Sequence, residues 1–170
     1  SSFRGIHESI VNYGGNQAPE LIEASHEEIA TAMNHGYYKV TGRPLAMLAH
    51  GTEGLQHAAM AVYNAWCDRA PMVILAGNHL DVQDRRPGVE WSHSAQDCIR
   101  VVRDYIKWDD NPVSLPHFAE SMARAYKIAM TPPMGPVAIT LDGHLQEMEV
   151  GDQQLMMPAM TPTQPPSGDW

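Results

Sequence analysis

The feature that most constrains the fold is an alternation of short apolar runs with segments of helical periodicity. The runs at 45–49, 72–76 and 137–141 are apolar along almost their whole length, as strands are when both faces of a sheet are covered. The segments between them are rich in Ala and Met or amphipathic, and they end at Gly or Pro. Parallel strands need such crossover connections. The sequence therefore predicts an α/β fold.

The same patterns predict the remaining elements. Helices are predicted at 2–13, 25–41, 54–67, 96–102 and 115–130, and two further strands at 20–24 and 105–108. The polar stretch 78–94 is predicted to be a long loop, and long loops in compact domains are often functional. No periodicity remains after Asp142. We therefore expect one domain over residues 1–145 and a Pro-rich linker or tail over residues 146–170.

Glu27 lies in the first turn of the predicted central helix, directly after a predicted strand. Ser25 or His26 is expected to cap that helix, and Gly42 followed by Pro44 to end it. One face of the helix is apolar; it carries Ile29, Met33, Gly36, Tyr37 and Val40. Ligands of open α/β sheets bind at the carboxyl ends of strands, where a carboxylate can act as an acid–base group. An acidic residue in a first turn can also simply offset the helix dipole, and position alone does not decide between the two roles.

Charge and composition exclude several classes of protein. The net charge of −9 argues against nucleic-acid binding, which needs a basic face. No apolar run approaches the length of a membrane span, and no secretory leader is evident. With only two cysteines, a disulfide framework is not expected. We therefore expect a cytoplasmic location. The nine histidines show no close metal-ligand spacing, and we expect no metal site in this chain.

An ordered series of short motifs carries a resemblance to a known family. The motifs are His26-Glu27, Gly36-Tyr37, Thr41–Pro44, Gly54, Asn64–Trp66, Ala70-Pro71, Ala76-Gly77, Lys107-Trp108 and Gly135–Val137. In this order they resemble the pyrimidine-binding domain of thiamine diphosphate enzymes, particularly acetolactate-synthase-like and benzoylformate-decarboxylase-like members. The resemblance implies a three-layer α/β/α fold with a mainly parallel sheet, here lacking the family's first helix and strand.

The resemblance also implies a function for Glu27. It matches the glutamate that hydrogen-bonds N1′ of the cofactor's aminopyrimidine and favours the imino tautomer, whose N4′ takes the proton from C2 of the thiazolium ring. Thiamine diphosphate then acts as an electron sink. The implied activity is that of a decarboxylase or carboligase acting on a small 2-oxo acid.

Further site residues follow from the same resemblance. His50 matches a histidine that transfers protons to or from the substrate, although a polar residue closing a strand is an equally good reading of this position. Gly54, Gln56 and His57 are assigned to the cofactor-binding region, and Gln96 is placed near the substrate.

The chain lacks the motifs that would complete such a site. The family's diphosphate-binding domain holds Mg²⁺ and the diphosphate through a Gly-Asp-Gly stretch followed at a distance by Asn, whereas here Gly151-Asp152 is followed by Gln153. A diphosphate-binding domain from another subunit or from a missing part of the chain is therefore expected, in a homodimer or tetramer. Glu53 and His57 depart from the family pattern. The alternative is a non-catalytic binding or assembly subunit that pairs with a cofactor-binding partner.

Overall fold

Four parallel strands form a single sheet in the computed structural model of the chain, which describes residues 2–79 and 94–159. They are β1 (Ala46–Ala49), β2 (Val73–Asn78), β3 (Asp109–Asp110) and β4 (Val137–Asp142), in the spatial order β1-β2-β4-β3. The longest pairing joins β2 to β4, from Val73 opposite Val137 to Asn78 opposite Asp142. The predicted parallel α/β architecture is confirmed.

Helices connect the strands as crossovers. The α-helices are α1 (Arg4–Glu8), α2 (Glu27–Thr41), α3 (Gly51–Cys67), α4 (Leu115–Met130) and α5 (Gly143–Glu147). A π-helical turn at Ser9–Tyr13 follows α1, and two 3₁₀ turns at Cys98–Val101 and Arg103–Tyr105 precede β3. No helix among the described residues is both long enough and apolar enough to cross a membrane.

Two hydrophobic cores lie on opposite faces of the sheet. Ile74 and Ala76 of β2 belong to a core that contains the inner face of α3 and the 3₁₀ segment, including Leu55, Val62 and Ile99. Val73 and Leu75 alternate with them and belong to a second core with α4, including Ala125 and Ala129. Because successive strand residues point to opposite faces, β2 serves both cores. This gives the expected three layers.

The ends of α2 follow the predicted capping pattern. The helix begins at Glu27, and the Nδ1 atom of His26 accepts the Glu28 N–H at 3.2 Å, so His26 rather than Ser25 is the cap. It ends at Gly42, whose φ of 70° is in the left-handed region that favours glycine. The helix α3 begins at Gly51, three residues before the predicted start, and a single residue, His50, separates it from β1.

The predicted strand at 20–24 is wrong. The side chain of Asn16 takes both backbone groups of Leu21: its Oδ1 accepts the Leu21 N–H at 2.6 Å, and its Nδ2 donates to the Leu21 carbonyl at 3.3 Å. These are the groups that a strand would use in a ladder. The apolar run therefore adopts an irregular conformation, with Ile22 exposed.

The predicted strand at 105–108 is also wrong in its position. Tyr105 ends a 3₁₀ turn, in which its N–H donates to the Val102 carbonyl at 2.8 Å. Two hydrogen bonds precede the pairing: the Lys107 N–H donates to the Pro136 carbonyl at 2.8 Å, and the Ala138 N–H donates to the Trp108 carbonyl at 3.0 Å. The residues paired with β4 are Asp109 and Asp110.

One further prediction meets the structure only in part, one helix was not predicted, and one predicted boundary is not tested. The predicted loop 78–94 begins within β2, and its residues 80–93 lie outside the described residues. The helix α5 was not predicted; Asp142 caps it by accepting the His144 N–H at 3.0 Å. Between the end of α5 and residue 159, the last described residue, there is no further helix or strand. The domain boundary at residue 145 remains a prediction.

The apolar face of α2 is present but does not pack on the sheet. Four of its apolar residues are exposed, namely Ile29, Met33, Tyr37 and Val40; the exposed fraction of Met33 is 49 %. We call these four residues the α2 apolar face. The helix instead buries Thr31 and Asn34 against the rest of the domain.

Asn34 attaches α2 to the start of β1. Its Nδ2 donates to the Leu45 carbonyl at 2.9 Å, and its Oδ1 accepts the Leu45 N–H at 3.2 Å. The side chain is almost fully buried. One amide thus bonds both backbone groups of Leu45, whose carbonyl also accepts the Val73 N–H at 3.3 Å, and it positions α2 where β1 joins the sheet.

We expect Asn34→Ala to lower the free energy of unfolding by about 1 to 3 kcal/mol, because the Leu45 N–H loses its side-chain acceptor and the Leu45 carbonyl loses one of its two donors. Urea unfolding followed by circular dichroism measures the change. Asn64→Ala, on the exposed face of α3, is the matched control for the difference in helix propensity. Equal stability of the two variants would contradict the assigned role.

Asp110 joins the edge strand β3 to α4. Its Oδ2 accepts a hydrogen bond from the hydroxyl of Ser121 and lies 3.2 Å from Nε2 of His117, and its Oδ1 accepts the Asn111 N–H at 2.9 Å. Burial acts to raise the pKa of Asp110, but the hydrogen bonds from Ser121 and Asn111 and the proximity of His117 outweigh it, so the pKa is lowered.

The lowered pKa makes this contribution to stability dependent on pH. The carboxylate stabilises the fold above the unfolded-state pKa of about 3.9, and this stabilisation is lost as pH falls through the folded-state value. We expect Ser121→Ala to cost about 1 to 2 kcal/mol at neutral pH and less below pH of about 3. Unfolding measured at both pH values, with the exposed Ser25→Ala as control, tests this. A cost that does not change with pH would contradict it.

Candidate functional site

The carboxyl ends of the parallel strands meet at one edge of the sheet. His50 directly follows β1, Asn78 ends β2, and Asp142 ends β4. Asn78 is buried, and its Nδ2 donates to the Ala95 carbonyl at 2.9 Å. The helix α3 begins at this edge, directly after His50, and its first two turns face the start of α2.

The carboxylate of Glu27 packs directly against the backbone of α3 at Gly54. A Cβ atom at Gly54 would lie 2.7 Å from Oε1 of Glu27, closer than real Cβ contacts come. The side chain of Glu27 is 25 % exposed. Gly54 is therefore required for the observed carboxylate position, which leaves Glu27 largely shielded but still reachable from outside.

Two histidines flank the carboxylate. Nδ1 of His57 lies 3.7 Å from Oε2 of Glu27. The rings of His26 and His57 are stacked, with centroids 4.7 Å apart and planes inclined by 11°. The potential ligand atoms of His26, Glu27 and His57 all lie within 4.8 Å of one another. The contact of His26 with His57 was not predicted, because nothing in the spacing of residues 26 and 57 indicates that they meet.

His50 is held by neighbours other than Glu27. Its Nδ1 accepts the Ser2 N–H at 3.2 Å and lies 2.9 Å from the Ser2 hydroxyl oxygen. Its Nε2 lies 3.7 Å from Oε2 of Glu53. Because Nδ1 accepts the amide hydrogen, the neutral ring carries its proton on Nε2. The ring is therefore fixed in orientation at the end of β1.

The remaining predicted residues lie at the surface. Gln56 is exposed on α3 next to His57, and Gln96 is exposed next to Ala95. Of the predicted residues, the structure thus brings Glu27, Gly54 and His57 together. For Gln56 and Gln96 it shows no contact with Glu27 within residues 2–79 and 94–159.

This arrangement suits the recognition of a nitrogen heterocycle. A single carboxylic acid group can exchange one proton or one hydrogen bond with a ring nitrogen when it is held rigidly and shielded from most water. Glu27, in the first turn of α2, packs against Gly54 and is largely shielded from water.

The chain is similar to a part of each of several longer enzymes. The chain is 27 % identical to benzoylformate decarboxylase of Pseudomonas aeruginosa over 139 residues, which cover 76 % of the chain and 26 % of that relative. It is 25 % identical to acetolactate synthase of Bacillus subtilis over 114 residues, covering 67 % of the chain and 19 % of the relative. The chain therefore spans about a quarter or less of the length of these relatives.

The fold is shared with a solved structure, that of benzoylformate decarboxylase from Polynucleobacter necessarius. The TM-score is 0.67 at 21 % sequence identity, and the match covers 80 % of this chain and 25 % of that one. The sequence profile of the family described as "Thiamine pyrophosphate enzyme, N-terminal TPP binding domain" matches residues 7–99, which include Glu27, Gly54 and His57. The chain therefore belongs to the family of N-terminal TPP-binding domains of thiamine pyrophosphate enzymes.

Proposed function

We propose that this chain is the pyrimidine-binding part of a thiamine diphosphate-dependent enzyme that decarboxylates or ligates small 2-oxo acids. The observation that carries the proposal is the carboxylate of Glu27, held against Gly54 at the start of α2. The similarity to a benzoylformate decarboxylase and to an acetolactate synthase supports the substrate class. When bound, the cofactor supplies an electron sink for the substrate carbonyl carbon.

The residues present fit the aminopyrimidine end of thiamine diphosphate. Glu27 would hold the ring by a hydrogen bond to a ring nitrogen and would carry the proton that is exchanged there. A side chain at position 54 would occupy the space of the carboxylate, so the glycine keeps this donor in place. His57 flanks the carboxylate, with its Nδ1 atom 3.7 Å from Oε2.

His50 is proposed to act on the substrate. It stands at the carboxyl end of β1, where ligands of parallel sheets bind, and its ring is oriented through Nδ1 by Ser2. That contact leaves the proton of the neutral ring on Nε2, which is therefore the atom that would transfer a proton. We assign Gln96 a position near the substrate and Gln56 one near the cofactor, on the resemblance alone.

A partner domain is proposed to complete the site. The diphosphate and Mg²⁺ would be held by a diphosphate-binding domain, in another subunit of a homodimer or tetramer. The α2 apolar face supports this arrangement, because four large apolar side chains along the helix that begins at Glu27 are exposed in the isolated chain. Large exposed apolar patches typically mark protein–protein contacts.

Glu27→Gln in the complete enzyme is expected to lower turnover of a 2-oxo acid by about 10²- to 10⁴-fold, because an amide cannot exchange the proton. Steady-state assays with pyruvate and benzoylformate measure this. Glu28→Gln is the matched control, since Glu28 is the neighbouring exposed carboxylate in the same helical turn. Turnover that survives Glu27→Gln would favour the alternative of a non-catalytic binding or assembly subunit.

Gly54→Ala is expected to displace the Glu27 carboxylate and so lower kcat about 10-fold or more, while the fold is retained because Ala favours the helix. Assays at saturating thiamine diphosphate distinguish a lower kcat from weaker binding of the cofactor. Gly36→Ala, where a Cβ atom would meet nothing within 4 Å, controls for helix propensity in the unfolding measurement. An unchanged kcat would show that Gly54 does not set the carboxylate position.

A further inference from the structure

We propose that His26, Glu27 and His57 form a binding site for a divalent transition-metal ion of the zinc type. We further propose, on the basis of the function proposed above, that an ion bound there competes with thiamine diphosphate for Glu27. The site combines the cap of α2, the first residue of α2 and a residue of the second turn of α3.

The distances suit a small tetrahedral ion. Zinc binds His nitrogen and carboxylate oxygen at about 2.0 to 2.2 Å, so neighbouring ligand atoms in a tetrahedral site lie about 3.3 to 3.6 Å apart. Nδ1 of His57 and Oε2 of Glu27 are 3.7 Å apart, close to that separation. The full set, including His26, lies within 4.8 Å, so a shift of about 1 Å brings the third ligand into range.

One ring must turn for both histidines to bind the same ion. The two rings are stacked with planes inclined by only 11°, and parallel rings cannot direct both lone pairs at one point. His57 can make this rotation, because its side chain is 57 % exposed and lies outside both cores. His26 can keep its capping hydrogen bond through Nδ1 and bind through Nε2.

The ligand set determines the class of ion. Two imidazole nitrogens and one carboxylate are the protein ligands of many zinc sites that keep a fourth position for water. Mg²⁺ and Ca²⁺ prefer oxygen ligands, so this site would discriminate against them. An ion here would therefore be distinct from the Mg²⁺ proposed for the partner domain, and it would neutralise the carboxylate that the aminopyrimidine needs.

Zinc binding to the complete protein, measured by calorimetry without thiamine diphosphate and with excess Mg²⁺, tests the site. We expect one site per chain whose Kd rises 10-fold or more in His57→Asn and in His26→Asn. Asn is also a good N-cap, so His26→Asn preserves the start of α2. The exposed His144→Asn is the matched control and should bind like the original protein. Equal Kd values in all three variants would overturn the proposed site.

Competition with the cofactor tests the second part. In the original protein, we expect thiamine diphosphate to raise the apparent Kd for zinc. Zinc should raise the apparent Kd for thiamine diphosphate by the same factor, because linkage is reciprocal. If the Kd for zinc depends on His57 but does not change with thiamine diphosphate, the proposed competition is wrong and the proposed zinc site stands. The turnover of Glu27→Gln tests the proposed function separately, so the two can fail independently.

Discussion

The pairing of β2 with β4 is the interaction on which the rest of the structure depends. It runs from Val73 opposite Val137 to Asn78 opposite Asp142 and lies at the centre of the sheet. Residues of β2 alternate between the two cores, so loss of this pairing would open both faces at once. Because the strands are parallel, the same pairing also brings their carboxyl ends to one edge. The position of the candidate site is thus a consequence of how the core is built.

The site itself depends on a close approach between two helices. Glu27 can lie against α3 only because Gly54 has no side chain, and α2 is held near β1 by the amide of Asn34. These contacts fix the carboxylate from one side. The α2 apolar face, on the same helix, is exposed. The domain therefore combines a shielded carboxylate with an exposed apolar stripe on one helix.

Much of the fold could be predicted from the sequence, because the residue patterns that indicate strands and helices are local. The apolar runs of the three main strands and the amphipathic pattern of α4 predicted those elements within a few residues. The predicted strand at 20–24 is wrong, because the Asn16 side chain forms the hydrogen bonds to Leu21 that a neighbouring strand would otherwise form. At the site, Glu27 was indicated by its place in the chain and by the family resemblance. The contact of His26 with His57 could not be predicted, since it arises only from the packing of α2 on α3.

The hydrogen bond between Asn78 and Ala95 has a consequence for how such a domain can diversify. It ties together the two ends of the segment that leaves β2 and returns before the 3₁₀ turns. With both ends fixed, a doubling of the intervening length costs only about 0.6 kcal/mol of closure entropy. Because this hydrogen bond fixes Asn78 and Ala95 relative to each other, a replacement of the residues between them would leave the end of β2 attached to the chain that enters the 3₁₀ turns.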